Sequence, residues 1–179
     1  MENMTAFSEV IEAFYHYIEN DVDFFRYFEL TEEESMEVAG QRAEVLLKEA
    51  TSYLCRKLVV ENVFSNTIEV EEEQETIDDE TGDKSTVVVK YMAFAEKLTD
   101  AEINILVKAM FLMYLQRDLT MLRTFHGVMT SSDLNMYSPA NERKTFVEMT
   151  EKYEAELKVE ISEYQMRDRL TGQFVQICE

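Results

Sequence analysis

One proline and four glycines stand in 179 residues. Proline removes a backbone donor and glycine costs chain entropy, so both interrupt regular elements, and a chain this poor in them can form long helices. The apolar spacing follows suit. Phe7, Val10, Ile11, Phe14 and Ile18 recur at helical intervals and predict a first helix from about Thr5 to Glu19, with Asn20 as its stop. Val22, Phe24, Phe25, Tyr27 and Phe28 then predict a short aromatic turn of helix.

The second helix, over about 32–58, opens on Thr31 and Glu34, the spacing of a capping box. Met36, Ala39, Ala43, Leu46, Leu47, Ala50, Leu54 and Leu58 form its apolar stripe. A second box, Thr99 and Glu102, opens a helix whose apolar positions (Ile103, Leu106, Val107, Met110, Phe111, Tyr114, Leu115, Leu119, Leu122) exceed one stripe. This helix is expected to be the most buried and to fade near Phe125–Gly127. A polar linker follows. Ser138-Pro139 then supplies an N-cap and a proline at the first helical position, where its missing N–H costs nothing. The last helix carries Phe146, Met149, Tyr153, Leu157, Ile161 and Tyr164 at spacings of three and four. Unbroken to Asp168, it would be about 45 Å long.

Between the second and third helices the pattern changes. Residues 67–74 alternate and 86–92 are rich in β-branched side chains, which predicts a hairpin over 66–92. Its acids are Glu69, Glu71, Glu72, Glu73, Glu75, Asp78, Asp79, Glu80 and Asp83, with no base among them. Such a run is solvated or aimed at a partner. The final residues, Gly172 to Glu179, alternate weakly like an edge strand. The predicted fold is therefore mostly α: a bundle of about four helices with a long C-terminal helix, one inserted acidic β-hairpin and an extended tail. Residues 1–168 are expected to be one helical domain, and 169–179 a docking tail in which Phe174, Val175 and Ile177 fill a neighbour's pockets by strand addition.

Charge narrows the function. The formal net charge of −20 repels phosphates and anionic lipid, which disfavours nucleic-acid gripping and membrane binding. Cys55 and Cys178 are too few for a disulfide scaffold or a zinc cluster, so a reducing compartment is expected. No basic segment followed by an apolar core marks a signal peptide at the N-terminus. His16 and His126 lack ligand-spaced neighbours and read as structural. Glu71-Glu72-Glu73 lacks the ligand spacing and fixed glycine of a calcium loop. Phosphate-loop, nucleophile-elbow and zinc-protease motifs are missing, so no enzyme and no cofactor are expected.

Leu98-Thr-Asp-Ala-Glu-Ile-Asn-Ile-Leu106, Tyr114-Leu115 downstream, and Asp133-Leu-Asn-Met-Tyr-Ser-Pro-Ala-Asn141 leading into the long helix resemble a family of tailed-bacteriophage neck proteins, the head–tail connectors or adaptors. The resemblance spans about residues 98–168; family members often carry tryptophan where this chain has Tyr114. It implies a structural virion protein made in the host cytoplasm and located in the neck, forming a ring of about twelve copies below the portal. DNA would pass through without specific binding. The partners it implies are the portal protein, gripped by the tail, and the next neck or tail protein. Phe146, Met149, Tyr153, Leu157, Ile161 and Tyr164 would supply subunit contacts, and the acidic hairpin would line the channel or meet the next ring. The competing reading from charge alone is an acidic cytoplasmic inhibitor that mimics nucleic acid on a basic protein surface.

Overall fold

The computed structural model describes residues 4–20, 22–25, 30–58, 63–77, 84–128 and 139–175. In chain order the elements are β1 (Thr5–Ala6), α1 (Phe7–Tyr17), α2 (Val22–Phe25), α3 (Glu32–Lys57), β2 (Thr67–Ile77), β3 (Lys84–Phe94), α4 (Asp100–Val128) and α5 (Pro139–Gln165). The fold is mostly helical with one inserted β-hairpin, as the sequence predicts, and β1 adds to that hairpin to give a small antiparallel sheet of order β1-β3-β2.

α4 is the central helix and packs against α1, α3 and α5. Ile105, Leu106, Val107, Ala109, Met110, Leu112, Tyr114 and Leu115 are all buried, which explains why its apolar positions go nearly all the way round. On α3, which packs against α4 and α1, Ala39, Ala43 and Ala50 have no solvent exposure and join Leu46, Leu47 and Leu54 in the core. Arg117 closes this contact with a two-pronged bond to Glu49, at 3.2 and 2.6 Å. The predicted aromatic turn is α2. Its Phe24 is fully buried, edge-on to Phe14 and Tyr114, with the Arg42 guanidinium 4.7 Å from its ring centre.

Several boundaries depart from expectation. α1 begins at Phe7 because Thr5 and Ala6 pair with Phe94 and Ala93 as a two-residue strand, too short to show any period. The α3 stripe starts at Ser35, leaving Met36 half-exposed. α5 ends at Gln165 rather than Asp168. Cys55 is only partly buried at the edge of the core, His16 is exposed, and the side chain of His126 and all of Cys178 lie outside the described residues.

Candidate functional site

Two features set this chain apart from a plain helical bundle: the β2–β3 ribbon and the residues after α5. The ribbon pairs in continuous antiparallel register from Thr67 opposite Phe94 to Ile77 opposite Lys84. Among the described residues, its base is built into the body through β1 on the far side of β3 and through the buried residues Ala93 and Phe94. Alternation sorts the rest onto two faces. One carries Glu69, Glu71 and Glu73 with Met92, Lys90 and Val88, and Glu71 forms an ion pair with Lys90. The other carries Ile68, Val70 and Glu72 with Tyr91, Val89 and Val87. Tyr91 bonds to Glu72, and desolvation followed by that carboxylate pushes its phenol above the ordinary range. Both faces stay wet at apolar positions: Val87 is 47% and Val88 52% exposed. Glu75 occupies the register position opposite Thr86, while Asp78, Asp79, Glu80 and Asp83 lie outside the described residues.

The tail departs from its predicted extended course. After α5 the chain turns back on itself. The Asp168 amide donates to the Gln173 carbonyl at 2.7 Å, and the Val175 amide to the Met166 carbonyl at 2.8 Å, bridging Arg167 to Phe174. Gly172 takes φ +66°, which favours glycine, and the Asp168 carboxylate accepts from the Leu170 and Thr171 amides. The Thr171 hydroxyl, which also donates to it at 2.7 Å, and then those amides hold the Asp168 carboxyl below its usual range. Phe174 and Val175 remain mostly exposed on this hook, with Arg167 over the Phe174 ring. Ile177 lies outside the described residues.

The hook is pinned by Arg169. Its Nε donates to Glu102 Oε1 at 2.6 Å, one terminal nitrogen to Glu96 at 2.6 Å, and the other to the Lys97 carbonyl at 2.7 Å. Glu102 is wholly buried and also accepts from the Tyr164 hydroxyl at 2.5 Å and the Thr99 amide at 2.6 Å. A buried carboxylate needs such partners. Burial pushes its carboxyl up, but the bonds from Arg169, Tyr164 and Thr99 outweigh that and leave it below the ordinary range. Thus the predicted N-cap is also the anchor for the C-terminal hook. The cap was visible in the sequence as Thr99-x-x-Glu102, whereas no local signal could show its counterion 67 residues away.

The expected subunit contacts on α5 are mostly spent inside the chain. Leu157 and Ile161 belong to the core. Tyr153 packs edge-on to Phe111, and its hydroxyl lies 2.7 Å from that of Tyr17; burial, then that bond, pushes its phenol well up. Tyr164 is committed to Glu102. Within the chain, these four side chains thus serve the packing of α5 against its own body. Phe146 is partly buried and Met149 46% exposed.

A cleft of about 560 Å³ lies beneath the hook, lined in part by Leu58, Asn66, Glu96, Tyr164, Arg167 and Arg169. Its cations are already engaged, Arg169 as above and Arg167 with Glu163. Among the described residues no group of three or more His, Cys, Asp or Glu gathers as metal ligands would, and no helix is long and apolar enough to cross a membrane. No protein-family model matches the chain, and no curated protein or solved structure matches it.

Proposed function

We propose that this chain is a structural subunit of a bacteriophage head–tail connector ring. The observation that carries the reading is the ribbon, whose strands of 11 residues each leave the body and keep apolar side chains wet on both faces. An isolated two-stranded ribbon is at best marginally stable in water, so a neighbour that covers it makes physical sense of its length. The resemblance of residues 98–168 to connector proteins supplies the kind of neighbour. The exposed Phe174 and Val175 on the hook are the candidate contact to the portal, and Met149 and Phe146 a candidate contact between subunits. The acidic face suits a conduit, because a wall that repels phosphates lets DNA move where a basic one would hold it.

Sedimentation of the chain mixed with portal-bearing particles tests this. A connector subunit co-sediments in a fixed ratio to portal, and replacing Glu71, Glu72 and Glu73 with lysine impairs DNA retention or ejection more than assembly. A chain that ignores the particles, stays a monomer or dimer and binds a basic protein would instead be the acidic mimic.

A further inference from the structure

The ribbon's two edges differ in charge. β2 forms the outer edge of the sheet along its whole length and carries five glutamates and no base. β3 carries Lys84 and Lys90 and no acid, and among the described residues its other edge is paired only at Ala93 and Phe94, by β1. Among the described residues, no strand of its own chain meets that edge from Lys84 to Met92. A bare, β-branched edge with Val87 and Val88 about half-exposed is an open template for strand addition.

The two edges also select their partner. Joining β2 to β2 of a second copy sets glutamate against glutamate, and joining β3 to β3 sets a basic edge against a basic edge; like charges directly opposite are destabilising. Joining β3 to the neighbour's β2 brings opposite charges together. In the register the chain uses for its own hairpin, the neighbouring copy's Glu71 lands opposite Lys90. Strand directions stay antiparallel when copies stand side by side in the order β2-β3-β2-β3. Such a contact uses two different patches, so it repeats head to tail and generates a closed ring or a filament.

We propose that copies of this chain join by pairing the free β3 edge of one ribbon with the acidic β2 edge of the next, so that the ribbons form one continuous antiparallel sheet around the assembly. The proposal rests on the ring reading above and names the surface that closes it.

The test exchanges charges within one chain. A variant carrying Glu71→Lys and Lys90→Glu keeps its own ribbon pair, reversed, and can pair with copies of itself. Against the wild type, however, each junction sets lysine on lysine or glutamate on glutamate. Differentially isotope-labelled wild type and variant are mixed at high concentration, alone and with portal-bearing particles, and the assemblies are weighed by native mass spectrometry. Each chain alone is expected to assemble, with mixed junctions depleted on the order of fivefold relative to random mixing. As an independent measurement, Glu71→Cys chains are mixed with Lys90→Cys chains, both with Cys55 and Cys178 changed to serine, and oxidised. A disulfide joining the two different chains, in excess of either homodimer, supports the pairing. Random mixing without that cross-link overturns it while leaving the ring reading intact. Failure of every chain to assemble, even with portal-bearing particles, overturns both.

Discussion

Two helices of this protein start on the same four-residue device in different surroundings. At Thr31–Glu34 the box stands in water: the Glu34 carboxylate accepts from the Thr31 amide at 2.9 Å and the Thr31 hydroxyl at 2.8 Å, both bonds local to the cap. At Thr99–Glu102 the same spacing is buried, and the glutamate must also satisfy Tyr164 and Arg169. The first box is a local signal to one helix. The second is a junction that ties the start of α4 to the end of α5 and to the hook. Burial turned a cap into a tertiary anchor, because a carboxylate removed from water demands more partners than a first turn can provide.

The comparison can be broken at its strongest point. Arg169→Met leaves Glu102 buried without its counterion and is expected to cost about 3–5 kcal/mol, read as a drop in the denaturant midpoint. Adding Glu102→Gln to that variant should restore part of the loss, since the stranded charge disappears; strict additivity of the two changes would show that the groups do not interact. Because the folded Glu102 carboxyl lies below its ordinary 4.5, its contribution is fully present above that value and is lost as pH falls through the folded pKa. Acid titrations of stability should therefore show a steep limb below pH 4.5 in the wild type and a shallower one in Glu102→Gln.

Smaller changes sharpen the contrast. Tyr164→Phe removes one bond to the buried charge and should cost about 1.5–3 kcal/mol by thermal unfolding. Thr31→Ala, at the wet box, should cost about 1 kcal/mol, with α3 fraying detected by amide exchange near Ser35. Glu34→Gln should have the smallest effect, and added salt should shrink it further. A larger loss at Glu34 than at Tyr164 would reverse the ranking that burial imposes.

What the sequence made legible follows the same division. Both boxes, the proline start of α5, most of the α3 and α4 stripes and the two ribbon strands are written in neighbouring residues, and among the described residues they appear where spacing put them, Met36 apart. Contacts between distant residues are not written that way. The pairing of Thr5 with Phe94 spans too few residues to leave a period. The folding-back of the tail depends on Arg169 finding Glu102 across the body. An apolar stripe shows that something covers it, not what: Tyr153, Leu157, Ile161 and Tyr164, expected at a subunit contact, make contacts within their own chain. For the ribbon, alternation gave the strands correctly but could not show that both faces stay wet.

The Arg169 anchor also bears on how the chain is made. Arg169 emerges from the ribosome 67 residues after the carboxylate that it neutralises at the start of α4. Until Arg169 has emerged, that helix start lacks its counterion, so its final locking must wait for it. A nascent chain stalled before Arg169 emerges should accordingly be more easily cut by protease than the finished one.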